Sequence, residues 1–178
     1  GAAAAVRAAV LLSQSKDGAD AALRIARLVA AQSTTNIEAQ RLIADLTYAK
    51  RDVDEAERAW RAVLARDSDD AASLNNLAWL LAHDRKKPSE ALPLSQRAVE
   101  LSPQDPNFRD TLAAVLRMLD RNSDAVTEYS RAVELWPAGA PQRDRALFTL
   151  ARVAADTGNV AALRAFSAEL GELANRDP

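Results

Sequence analysis

The chain contains no cysteine, one histidine, one methionine and five glycines among 178 residues. Without thiols, disulfides and thiolate chemistry are excluded. A zinc site wants three or four clustered ligands, and His83 has no cysteine or second histidine to join it. The five scattered glycines form no phosphate-cradling loop. Aromatic residues are only 4% of the chain, which does not favour a thick core filled by rings. Neither sign of charge dominates: 23 basic and 25 acidic residues are interspersed, for a net charge of −2. A nucleic-acid surface needs a one-signed basic patch, so no nucleic-acid partner is expected. No apolar run approaches the ~18–20 residues that cross a bilayer, so no direct membrane insertion is expected of this segment.

Alanine is what the chain has in quantity. It is the best helix former, and its small side chain lets helices approach closely. The alanines return at a fixed step: Ala22, Ala56, Ala91 and Ala125 lie 34, 35 and 34 residues apart. Val29, Val63, Ala98 and Ala132 keep the same step, as do Ile43, Leu77 and Leu112, and Ala44, Ala78 and Ala113. A period of this size implies a stacked-repeat solenoid, whose function usually lies in an extended surface.

Each period holds two apolar stretches of helical spacing separated by a polar turn. The pattern predicts about ten helices, at 3–15, 19–32, 36–50, 53–66, 70–83, 88–101, 106–119, 122–135, 142–156 and 159–174. Asn36 and Asp70 can cap the third and fifth helices. Pro88 and Pro106 suit first-turn positions, whereas Pro103 and Pro137 cannot continue the helices before them. The turn Asp84–Lys87 carries the one extra residue of its repeat, and Pro93 should disturb the start of the sixth helix. The connector Pro137–Pro141 puts the last repeat out of step: Ala113 to Ala151 is 38 residues. A rotated or looser final pair is expected there.

Few residues offer chemistry. His83, near Asp84 and Glu90, reads as a helix-end histidine close to the last carbonyls. Ser13, Ser73, Ser89 and Ser102 lack a nucleophile-elbow context. The carboxylate pairs Glu55/Glu57 and Asp69/Asp70 sit at turns or helix starts, where they favour the helix dipole. No catalytic residue, metal site or cofactor is expected, and the chain is not read as an enzyme.

The succession Leu112-Ala113, Leu116, Ala125, Tyr129, Ala132 and Pro137 resembles the tetratricopeptide repeat (TPR), a 34-residue helix–turn–helix. So does Asn75-Asn76-Leu77-Ala78-Trp79-Leu80-Leu81-Ala82 with Ala91, Ala98 and Pro103. Ala44, Ala56, Trp60 and Val63 carry a further repeat, and weaker copies precede and follow. The resemblance implies an all-α fold: an α-solenoid, a right-handed superhelix of about five repeats, at about 3–35, 36–70, 71–105, 106–140 and 141–178. These would form a single domain, expected to be a fragment of a longer protein. The stretches LNNLAWLLA and DTLAAVL also resemble bacterial cell-envelope TPR proteins of exopolysaccharide export and of the PEP-CTERM/exosortase sorting system. That likeness favours a periplasmic or envelope location over a cytoplasmic one.

Packing explains why small residues fall where hairpins cross: Ala44, Ala78 and Ala113 should meet Ala56, Ala91 and Ala125, with Trp60 and Tyr129 filling the space between repeats. In the TPR family the first helix of each pair lines a concave groove that holds peptides or partner helices. Carried over by alignment, the groove residues are Arg41, Asp45, Tyr48, Asn75, Trp79, His83, Asp110, Arg117, Met118, Phe148 and Arg152, preceded by Arg7, Leu11 and Gln14. The set mixes aromatic, Met and Arg side chains, types enriched at interfaces. Trp79 and Tyr48 could instead pack between repeats, and the arginines could be ordinary surface charges. The resemblance implies a non-catalytic protein–protein interaction module binding a protein or peptide ligand, with Trp79 as anchor and Arg41, Arg117 and Arg152 as charge-matching groups. The alternatives are a self-associating homo-oligomer and a regulatory segment of a larger enzyme such as a glycosyltransferase.

Overall fold

The computed structural model describes residues 1–15, 17–33 and 35–174. Among them lie eleven helices and no strand. They are α1 (Ala2–Ser13), α2 (Ala19–Gln32), α3 (Ile37–Ala49), α4 (Val53–Leu64), α5 (Ala71–His83), α6 (Pro88–Leu101), α7 (Pro106–Met118), α8 (Asn122–Leu135), α9 (Pro141–Asp156), α10 (Val160–Ala165) and α11 (Ser167–Ala174). Helices adjacent in the chain pack on one another, and alternate helices also touch at α1–α3, α5–α7 and α9–α11. The fold is an α-solenoid of TPR-type hairpins, as the periodicity predicts.

The helix starts are set by side chains. Asn36 Oδ1 accepts the Ala39 N–H at 2.8 Å, and Asp70 Oδ1 accepts that of Ser73 at 2.8 Å. Asp52, Asp105 and Asn159 cap α4, α7 and α10 in the same way, satisfying donors the helix itself leaves free. Pro88, Pro106 and Pro141 occupy first-turn positions. Pro93 lies inside α6, yet the helix runs unbroken from Pro88 to Leu101.

The turns α3–α4, α5–α6, α7–α8 and α9–α10 repeat a backbone device that the side-chain pattern conceals. Arg51, Asp120 and Gly158 have φ of 66°, 59° and 67°. Each is followed by a residue whose N–H reaches back five places: Asp52 to Thr47, Arg121 to Leu116 and Asn159 to Ala154. This left-handed cap ends the first helix and turns the chain into the second. Between α5 and α6 the left-handed residue is Lys86, φ 58°. There the bond spans six residues, from the Lys87 N–H to the Leu81 carbonyl. The extra residue of that repeat is absorbed in this turn.

The periodic alanines form the seam. Ala22, Ala44, Ala56, Ala78, Ala91, Ala113 and Ala125 are all at 0% exposure. Trp60 and Tyr129 are buried beside them. The buried residues fall into two clusters that meet at α7, where Val115 joins the first and Leu112 and Leu116 join the second. Partly buried Leu92 packs against both. Ion pairs tie successive hairpins outside the core: Arg27 to Glu55, Arg85 to Asp54 and Glu57, and Arg97 to Asp69. Exposed pairs of this kind are screened by solvent and contribute little, so the alanine seam dominates.

One expectation needs correction. The helix predicted at 159–174 is divided, because the chain leaves helical geometry at Phe166, φ −114°. The turn lets Phe166 bury itself in the second core with Leu147 and Leu150. No helix among the described residues is long and apolar enough to cross a membrane.

Candidate functional site

The odd-numbered helices present side chains to a shared cleft of about 560 Å³. Asp45 and Tyr48 come from α3, and Asn75, Asn76 and Trp79 from α5. Asn107, Phe108, Asp110 and Thr111 come from α7, and Arg145 from α9. Trp60 of α4 closes its floor. The solenoid places these residues together because each hairpin repeats the last with nearly the same orientation. Side chains more than 30 residues apart in the chain thus become neighbours.

Trp60 is 1% exposed, and its indole Nε1–H donates to Asp45 Oδ1 at 3.2 Å. Asn76 Nδ2 donates to the same oxygen at 3.3 Å, and Asn75 Nδ2 to Asn76 Oδ1 at 3.3 Å. Asp45 is open toward the groove, yet the surrounding protein strips enough water to push its carboxyl above the ordinary range, against the two hydrogen bonds and Arg41. Burial likewise raises the Asp110 carboxyl, with Arg145 a weaker opposing influence. The Arg145 guanidinium comes no nearer to Asp110 than 3.8 Å. The Tyr48 hydroxyl donates to Asp84 Oδ2 at 2.9 Å, and burial together with that carboxylate pushes the phenol up to about 12. Tyr48 is therefore a neutral donor at any physiological pH.

His83 stacks on Trp79, ring centroids 3.6 Å apart, and its Nδ1–H donates to the Trp79 carbonyl at 3.2 Å. Burial lowers its pKa, so the imidazole is neutral near pH 7. It acts as a brace that sets the Trp79 ring.

The groove residues expected from sequence divide among three clefts, with Arg117 and Met118 outside them. Asp45, Tyr48, Asn75, Trp79 and Asp110 line the central cleft, with His83 behind Trp79. Arg41, with Arg7 and Leu11, lines a second, more aliphatic cleft of about 690 Å³ between α1 and α3, beside Val6, Val10, Leu42 and Leu46. There Arg41 is paired with Asp70, the cap of α5. Phe148 and Arg152 border a third cleft on α9. Arg117 lies beside the Tyr129 hydroxyl, and Met118 packs against the first core. Asn76, Asn107, Phe108, Thr111 and Arg145 escaped the sequence reading. With the 38-residue step of the final repeat, Arg145 stands where Asn107 stands in the repeat before, so the two were missed together.

Comparison with known proteins agrees with this architecture. A family model of the tetratricopeptide repeat matches residues 41–106. A TPR repeat-containing protein of Pseudomonas aeruginosa is 29% identical over 92 residues, 52% of this chain. The match spans only 16% of that protein's length. Among solved structures, MamA from Desulfovibrio magneticus RS-1 superposes with a TM-score of 0.80 at 15% identity, covering 99% of this chain and 97% of MamA. YrrB, a TPR protein with an unusual peptide-binding site, superposes with a TM-score of 0.71 at 21% identity, covering 87% of this chain and 77% of YrrB. At such identities the likeness speaks for the fold.

Proposed function

We propose that this chain is a non-catalytic protein–protein interaction module that holds an extended peptide or partner segment in its central cleft. The observation that carries the reading is the cleft itself. Four successive hairpins converge Trp79, Tyr48 and Phe108 with amides and carboxylates in an open trough. Aromatic rings supply large contact area at low entropic cost, and the amides can follow a peptide backbone. Trp79 is the anchor, held in place by His83. The test is capture of partners from a bacterial lysate by immobilised wild type and by Trp79→Ala. Proteins retained by the first and lost by the second, with far-UV helicity unchanged, support the cleft. Identical retention by both removes Trp79 from the site.

The sequence likeness to envelope TPR proteins supports a finer setting, a scaffold for polysaccharide export or protein sorting at the bacterial envelope. Captured partners from cytoplasmic pathways alone would count against it.

A second reading, self-association, is favoured by the N-terminal end. Val10, Leu11 and Leu12 are 40%, 69% and 39% exposed, and Leu28 is 64% exposed. Exposed apolar residues on α1 and α2 suit burial against a second copy. Light scattering over a concentration series decides: an assembly dispersed by Leu11→Glu supports this reading, and a monomer at every concentration sinks it.

A further inference from the structure

The groove reading leaves open which side chain the central cleft selects, and its hydrogen bonds answer that. They form one directed chain. Asp45 Oδ1 accepts from both Trp60 Nε1 and Asn76 Nδ2. A carboxylate can only accept, so Asn76 must turn its Nδ2 toward Asp45 and its Oδ1 toward Asn75. Asn75 then donates its own Nδ2 to Asn76. The chain ends on Asn75 Oδ1, which is buried and has no hydrogen-bond partner among the described residues. The residue is 8% exposed and lines the cleft. An acceptor left unpaired in this way costs free energy that a ligand donor recovers.

The remaining chemistry points the same way. The Asp110 side chain is 16% exposed, with Arg145 at 3.8 Å as its ion partner. Asp45 adds a second carboxylate. The walls are the rings of Tyr48, Trp79 and Phe108, whose faces attract cations. Of the arginines that the sequence offers to an acidic ligand, Arg41 pairs with Asp70, Arg117 lies beside Tyr129 and Arg152 borders the third cleft, so these three stand outside the lining of the central one. Among the described residues Arg145, 69% exposed, is the one cation lining the cleft, and it can swing into solvent.

We propose that the central cleft is a receptor for a basic side chain, lysine or arginine, on the partner's segment. Its N–H groups bond Asn75 Oδ1 and the Asp110 carboxylate while its stem lies against Trp79 and Phe108. This rests on the groove reading and reverses the charge preference that the groove arginines suggest from sequence.

A random-peptide phage library selected on the 178-residue chain tests it, followed by calorimetry on the recovered peptides. The expected peptides carry a lysine or arginine whose replacement by norleucine or citrulline weakens binding at least about tenfold. Asp110→Asn weakens the parent peptide by a similar factor, and Asp156→Asn, on the exposed C-terminal turn of α9, does not. Asn75→Ala, which removes the unpaired buried acceptor along with its bond to Asn76, weakens binding with far-UV helicity unchanged. Peptides that lose affinity for Trp79→Ala but tolerate the neutral replacements overturn the basic preference and leave the groove intact. No recovered peptide, or peptides indifferent to Trp79→Ala, overturns both.

Discussion

The central cleft and the N-terminal cleft occupy equivalent places in the array, one over α3, α5 and α7 and the other over α1 and α3, yet their chemistry differs. The first is walled by Trp79, Tyr48 and Phe108 and floored by Trp60, with carboxylates and amides between the rings. The second is aliphatic, with Val6, Val10, Leu11, Leu42 and Leu46. Of its charged residues Arg7, Glu38, Arg41 and Asp45, Arg41 is spent on Asp70. Both stand on the same seam of fully buried alanines. The difference teaches that the repeat constrains the hairpin interface and leaves the groove positions free. Adjacent stretches of one groove can therefore serve different ends.

The comparison breaks most visibly in stability. Trp60→Ala removes a buried indole beneath the central cleft and should cost about 3–5 kcal/mol in urea denaturation. Leu11→Ala, in the exposed wall of the N-terminal cleft, should stay within about 0.5 kcal/mol of wild type. Equal losses would mean that the two walls are alike. Overpacking is the next largest effect: Ala125→Leu should cost about 1–3 kcal/mol and lower the melting temperature, since the seam has no room for a larger side chain. An unchanged transition would show that Ala125 is not confined.

Binding sharpens the contrast. Trp79→Ala should weaken a cleft-binding peptide by at least about tenfold, whereas Leu11→Ala should leave its affinity alone. A loss at Leu11 as large as at Trp79 would merge the two clefts into one site. A change outside both serves as control. Arg51→Gly relieves a left-handed backbone, where a Cβ costs roughly 1–2 kcal/mol, but frees the unfolded chain by about 0.4–1 kcal/mol, so it should raise stability only slightly, with no effect on peptide affinity. Gly158→Ala should do the reverse to stability.

The smallest effect is in pH. The folded His83 pKa lies below its ordinary 6.5, so the unfolded chain takes up the proton more readily. Its contribution is fully present above about 6.5 and is lost as pH falls through that value and on to the folded pKa. Asp110 has a raised folded pKa, so its contribution runs the other way: it is present below the ordinary carboxylate value and lost as pH rises through the folded one. His83→Phe should flatten the melting-temperature profile near pH 6, and Asp110→Asn should raise stability at neutral pH while weakening the peptide. A variant that gains both stability and affinity would remove Asp110 from the recognition site.

Much of this was legible in the residues. Helix positions, the caps at Asn36 and Asp70, the extra residue before Lys87 and the alanine seam all follow from periodicity and local chemistry, which act between near neighbours in the chain. Of the cleft lining, Asp45, Tyr48, Asn75, Trp79 and Asp110 are among the positions that the family resemblance carries over by alignment. Phe108 and Asn107 are not, because they lie at the start of α7, outside the positions that usually face a groove. The left-handed turns at Arg51 and Lys86 were also hidden, because neither side chain advertises a positive φ.

The sequence by itself determined that this chain is a ladder of small-residue hairpins with an inner face rich in interface-type residues. Only the tertiary structure decided which arginines that face can use and where its hydrogen-bond chain ends. Arg41 is paired with Asp70, 29 residues away, and Asn75 Oδ1 is left over by bonds that begin on Trp60 of another hairpin. Such pairings depend on which atoms meet across repeats, a matter of distance and direction in space that spacing along the chain does not encode.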